Sequence, residues 1–82
     1  MTYAIQLSKK TLNYLKKLDK SQKEKIIAVF QKIIEDPYRF KPLRYELKGY
    51  YRARIETYRI LFRIENNTVF IAGIEQRKKA YK

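Results

Sequence analysis

The sequence predicts an α+β domain in the order β-α-α-β-β-β: a small, mostly antiparallel sheet with an N-terminal αα-hairpin packed on one face. Three observations carry this. Tyr50-Tyr51-Arg52-Ala53-Arg54-Ile55 and Tyr58-Arg59-Ile60-Leu61 alternate with period two on either side of Glu56-Thr57, as two hairpin strands do. Upstream, apolar residues recur instead at helical spacing in two blocks separated by a polar break near Asp19-Lys20-Ser21. The chain has 82 residues, enough for one domain spanning 1–82. At that size only about 60–65% of the unfolded surface is buried, so a single core must serve both helices and sheet.

Tyr3 to Leu7 alternates apolar and small or polar residues and reads as a short opening strand. Ser8 is placed to cap the helix that follows, where Leu12, Leu15 and Leu18 recur with Tyr14 alongside. That helix should stop near Asp19-Lys20. Ser21-Gln22-Lys23-Glu24 has the capping-box pattern, in which the serine hydroxyl and the glutamate satisfy backbone amides reciprocally. Ile26, Ile27, Val29, Phe30, Ile33 and Ile34 then form a broad apolar stripe, and Asp36-Pro37 ends the second helix.

Pro37 to Pro42 reads as a loop pinned by Tyr38 and Phe40. Leu43 to Leu47 is expected to be extended, and Lys48-Gly49 to turn. Three strands follow: Tyr50–Ile55, Tyr58–Glu65 and, after the Asn66-Asn67 turn, Thr68–Gln76. The last is apolar on both faces, which predicts a central strand with cover on each side. In the hairpin, Arg54 should lie directly opposite Arg59, with Arg52 one pair further along the same face. Like charges so placed are destabilising by roughly 0.2–1 kcal/mol, so a fold that keeps them is expected to hold an anion there. Tyr50, Tyr51 and Tyr58 read as sheet-packing residues. Arg63 shares the Arg59 face, a rung further from the turn, and suits a substrate or a partner equally.

Charge narrows the function. Twenty Lys and Arg against eight Asp and Glu give +12, of which residues 39–82 hold +8. Such a field draws polyanions with salt-dependent affinity and equally suits an acidic protein partner. Most of the helix lysines (Lys9, Lys10, Lys16, Lys17, Lys20, Lys23) read as solvated faces, and Lys78 and Lys79 as general electrostatics. With neither Cys nor His, thiolate metal sites, zinc sites and Ser-His or Cys-His nucleophile pairs are excluded, and no cofactor is implied. The N-terminus carries no leader pattern and no apolar stretch suits a membrane span, so a cytoplasmic location is expected.

Three blocks extend the argument: Pro42-Leu43 through Leu47-Lys48-Gly49-Tyr50-Tyr51-Arg52-Ala53-Arg54-Ile55, then Tyr58-Arg59-Ile60-Leu61-Phe62, then Gly73-Ile74-Glu75-Gln76-Arg77-Lys78-Lys79-Ala80-Tyr81. In this order and spacing they resemble the RelE branch of the RelE/ParE toxin superfamily over essentially the whole chain. The resemblance implies the toxin of a type II toxin–antitoxin pair, a ribosome-dependent endoribonuclease that cleaves mRNA and is held inactive by a cognate RelB-like antitoxin. It implies basic residues before the hairpin turn, an Arg after it, and an Arg and a Tyr near the C-terminus. These fall on Arg52 and Arg54, on Arg59, and on Arg77 and Tyr81. Many members carry Lys where this chain has Arg52 and Arg54.

Cleavage through the 2′-hydroxyl needs a proton acceptor, charge stabilisation at the phosphorane and a proton donor for the 5′ oxygen. Arg54 and Arg59 suit the charge-stabilising role through bidentate bonds, and Arg77 can clamp the same phosphate. Tyr81 suits stacking on a base or a hydrogen bond near the 2′-hydroxyl. Arginine is a poor proton acceptor, which makes Arg52 electrostatic and leaves Glu46 or Tyr81 as candidates for the base. An acidic antitoxin is expected to lay a helix or strand across the Arg52/Arg54/Arg59 face or displace the C-terminal tail. Two other functions fit the same fold: a ParE-like DNA gyrase poison, and a non-catalytic RNA-binding relic.

Overall fold

The computed structural model describes residues 2–76. Its elements are β1 (Ala4–Leu7), α1 (Lys9–Lys17), α2 (Lys20–Glu35), β2 (Lys41–Pro42), β3 (Tyr50–Ile55), β4 (Tyr58–Glu65) and β5 (Thr68–Gln76). The five strands form one sheet in the order β1-β5-β4-β3-β2. β1 runs parallel to β5, and every other pair is antiparallel.

Ser8 caps α1 as the sequence predicts, its side-chain oxygen accepting from the Thr11 amide at 3.1 Å. The second cap differs from expectation. Asp19, not Ser21, caps α2, accepting from the Gln22 amide at 2.9 Å. The helix therefore starts at Lys20 and swallows the apparent capping box. A carboxylate at this position also complements the helix dipole, which a serine does not. α1 ends at Lys17, two residues early, leaving Leu18-Asp19 as a tight connection.

Two loop expectations need correction. Lys41-Pro42, read as the end of a loop, forms a two-residue edge strand against Arg52 and Tyr51. Proline is tolerated there because an edge strand has an unpaired side. The stretch expected to be extended after it is instead a short 3-10 turn at Tyr45–Leu47, entered with Tyr45 at φ 59°. Gly49, at φ 98°, then turns the chain into β3, a conformation that glycine adopts without strain.

The core lies between the helices and one sheet face. Leu15, Ile26, Val29, Phe30 and Ile33 of the helices meet Ala53, Tyr58, Ile60, Phe62, Val69, Ile71 and Ile74 of the sheet. Phe62, fully buried, stacks on Tyr51 at 5.7 Å and takes Phe40 edge-on at 5.9 Å, which is how the Pro37–Pro42 segment is pinned. Tyr38 bridges Tyr3 and Tyr51 by two edge contacts. Tyr51 and Tyr58 thus pack in the sheet as read, whereas Tyr50 sits on the opposite face across from Arg63.

β5 is interior but is not covered on both sides. Its register with β4 slips between Leu61 and Phe62: Phe62 opposes Ile71, while Leu61 opposes Gly73. Ala72 is the extra residue of a bulge. Alternation restarts after it, so Val69, Ile71 and Ile74 all face the core, and Phe70, Gly73 and Glu75 face away. The run that looked apolar on two faces is one buried face whose phase shifts midway.

Candidate active site

The sheet face opposite the helices carries the arginines. Arg54 of β3 lies opposite Arg59 of β4, and Arg52 opposite Leu61, the register that alternation about Glu56-Thr57 requires. β5 extends both rows, placing Glu75 beside Arg59 and Gly73 beside Leu61. On the other side β2 sets Lys41 beside Arg52.

A cleft of about 320 Å³ opens on this face. Arg52 and Arg59 line it together with Glu75, and Lys10 reaches it from the first turn of α1. Its apolar lining is Leu61 with Leu43 and Leu47, the two leucines that flank the Tyr45 turn. Gly73 contributes to the floor: a Cβ there would meet nothing within 4 Å, so the missing side chain is open volume. Arg52 is shared with a second, more open depression of about 610 Å³, lined also by Lys41, Pro42, Leu43 and Arg44.

Arg54 belongs to neither. It is exposed near the hairpin turn, in a small hollow with Glu56, Thr57, Tyr58 and Arg59. Of the five expected site residues, the structure therefore gathers Arg52 and Arg59 in one cleft and sets Arg54 beside them. Arg77 and Tyr81 lie outside the described residues. Glu46 sits on the exposed 3-10 turn and does not line the cleft. Arg63 is occupied: its guanidinium lies over the Phe70 ring at 4.3 Å and 3.8 Å from the Glu65 carboxylate.

The electrostatics follow from what is unpaired. Among the described residues the ion pairs are Arg63–Glu65 and Lys25–Glu56, the latter at 3.0 Å and tying α2 to the hairpin turn. Neither neutralises Arg52, Arg54 or Arg59. These cations stand on an open face around a partly apolar recess, an arrangement with the donors to hold an anion. Among the described residues a pKa displacement lies elsewhere: burial, with a smaller contribution from Tyr58, pushes the Tyr14 hydroxyl of α1 above the ordinary tyrosine value.

Lys10, Leu43, Leu47, Gly73 and Glu75 were not singled out as site residues in the sequence. The sequence of β5 carries no signal for Glu75, whose direction is set by the phase shift at the bulge. Ser8 and Thr11 mark it, because their donors converge on the bulge: the Ser8 amide and Thr11 hydroxyl on the Ile71 carbonyl at 3.1 and 3.3 Å, the Ser8 hydroxyl on that of Ala72 at 3.2 Å.

Among the described residues no helix is long and apolar enough to cross a membrane. The profile of the ParE toxin of type II toxin–antitoxin systems (parDE) matches residues 5–81. Toxin RelG of Mycobacterium tuberculosis is 43% identical over 56 residues, 65% of this chain; the match spans 64% of that relative's length, just under two thirds. The toxin–antitoxin complex RelBE2 of M. tuberculosis contains a chain that superposes with TM-score 0.85 at 32% identity, covering 94% of this chain and 100% of that one. The isolated RelE toxin of E. coli shares the fold, with TM-score 0.81 at 15% identity over 96% of this chain and 88% of that one. With a family profile spanning nearly the whole sequence and the fold in agreement, this chain belongs to the RelE/ParE family of type II toxin–antitoxin toxins.

Proposed function

We propose that residues 1–82 form a single-domain toxin that cleaves mRNA on the ribosome by attack of a 2′-hydroxyl on the adjacent phosphate, in the cytoplasm. The observation that carries this reading is the convergence of Arg52 and Arg59 on one partly apolar cleft, without a paired carboxylate among the described residues. Guanidiniums hold non-bridging phosphate oxygens in bidentate fashion and stabilise the extra charge of the phosphorane. A nucleobase fits against Leu43, Leu47 and Leu61, above the space left by Gly73. Arg52, common to both depressions, lets one RNA strand run from the cleft toward Lys41 and Arg44. Arg54 adds field at the hairpin end, and Arg77 and Tyr81 are assigned the phosphate-clamping and base-contacting roles that the family resemblance implies.

Much of the rate is assigned to alignment by the ribosome, since correct positioning alone is worth about 7–11 kcal/mol in favourable cases. The partner that silences the site is an acidic RelB-like antitoxin, whose carboxylates neutralise the Arg52/Arg54/Arg59 face. Support comes from the RelBE2 structure, which is itself a toxin–antitoxin complex.

The test is primer-extension mapping of mRNA in a translating extract, with Arg59→Ala alongside. Discrete cuts that require ribosomes and vanish in the variant are expected. A second reading, poisoning of DNA gyrase, is favoured by the matching profile being that of the ParE toxin. Intact message together with trapped gyrase–DNA cleavage complexes would establish that alternative.

A further inference from the structure

Arg52, Arg54 and Arg59 stabilise charge, but a guanidinium does not take up a proton at physiological pH. The reaction proposed above therefore still needs a proton acceptor and a donor. Among the described residues, two titratable side chains other than arginine line the same cleft: Glu75 on β5 and Lys10 on α1.

Their arrival there has one structural cause. Without the bulge at Ala72, strict alternation from Val69 and Ile71 would turn residue 75 toward the helices. The bulge reverses the phase and puts Glu75 beside Arg59 on the open face. Bulges commonly re-aim a side chain next to a site in this way. The carbonyls of Ile71 and Ala72 are held by Ser8 and by Thr11, whose side chain is fully buried. That same capping turn carries Lys10 into the cleft. One turn of α1, docked on the bulge, thus brings the backbone of Lys10 to the cleft that Glu75 lines, with Arg52 and Arg59 on the adjoining strands.

We propose that Glu75 is the general base and Lys10 the general acid of the cleavage, an inference that rests on the endoribonuclease reading. The Glu75 carboxylate takes the 2′-hydroxyl proton as the 2′ oxygen bonds to phosphorus. The P–O5′ bond breaks with its electron pair on O5′, and the Lys10 ammonium protonates that oxygen. The products are a 2′,3′-cyclic phosphate and a 5′-hydroxyl. Protonated Glu75 and neutral Lys10 then return to their starting states by exchange with water. Arg52 and Arg59 hold the non-bridging oxygens throughout.

The test is single-turnover cleavage of a defined mRNA on programmed ribosomes. Glu75→Gln should lower the rate about 10²–10⁴-fold, the usual contribution of a general acid or base, while the half-saturating toxin concentration stays within about twofold. Glu75→Asp should recover part of the rate. Lys10→Ala should lose a comparable factor on ordinary mRNA. It should cut at close to the wild-type rate when the scissile phosphate carries a bridging 5′ sulfur, which leaves without a proton. A Glu75→Gln toxin that cuts at the wild-type rate, or is impaired only in binding, overturns the base assignment. Lys10→Ala left unrescued by sulfur overturns the acid. Message left uncut by wild-type toxin overturns the endoribonuclease reading itself and this assignment with it.

Discussion

Substituting Arg54 by Gln should stabilise the protein while weakening its hold on polyanions. Arg54 and Arg59 are directly cross-strand, and no ion pair among the described residues involves either guanidinium. Opposed side chains start with Cβ atoms about 5 Å apart, so the charges repel across about 7 Å even when splayed into solvent. In a water-like dielectric that separation costs about 0.6 kcal/mol. Screening with a Debye length of about 8 Å at physiological ionic strength halves it or more, and the 3 Å length at 1 M salt removes it. Because 1 kcal/mol moves the melting midpoint of a domain this size by about 4–8 °C, Arg54→Gln should raise Tm by about 2–4 °C in 10 mM salt and not at all in 1 M salt. Arg59→Gln should relieve the same repulsion but lose the attraction of Glu75 across from it, so it should gain less than Arg54→Gln, and the double variant less than the sum of the singles. Thermal melts across a salt series measure all of this, and single-stranded RNA titrations should show a shallower salt dependence for each variant. A Tm that falls, or a gain that persists unchanged at 1 M salt, would refute the claim that repulsion on this face is tolerated for binding.

Three further outcomes are expected. Gly73→Val should leave Tm unchanged or slightly raised, since its Cβ meets open space, yet abolish cleavage by filling the cleft floor; melting and primer extension measure the two effects. Ser8→Ala removes both the α1 cap and the hydroxyl on the Ala72 carbonyl, and should cost about 1–2 kcal/mol by urea titration, near the upper end for a cap. Tyr14 concerns alkaline stability. Its native-state value is raised by burial, so the native protein keeps the hydroxyl proton after the unfolded chain has lost it. Native stability is therefore fully present below about pH 10 and is lost as pH rises through the raised value. Between pH 9 and 11 the urea midpoint should fall less for Tyr14→Phe than for the wild type; an equal fall would remove Tyr14 as a cause.

Local chemistry determined much of this molecule. Period-two alternation around Glu56-Thr57 specified β3 and β4, and the Asn66-Asn67 turn with the apolar run after it specified β5, all to their end residues, because strand pleat and turn conformation are properties of consecutive residues. The same alternation set Arg54 against Arg59, since a hairpin closed on a known turn has only one register. Composition leaves the chain no imidazole or thiolate with which to do chemistry. Partners distant in the chain decided the rest. Lys41-Pro42 became a strand only because β3 offered an edge.

The bulge at Ala72 is the clearest case. An apolar run such as Val69-Phe70-Ile71-Ala72-Gly73-Ile74 carries no mark of where its phase shifts. The shift is set by the register with β4 and by the Ser8 and Thr11 donors, more than fifty residues away in sequence. The arginine face was therefore legible from the chain alone, because it is local to one hairpin. The company it keeps, Glu75 and Lys10 in the same cleft, was decided by tertiary structure, because it takes a helix cap docked onto a distant strand to bring them there.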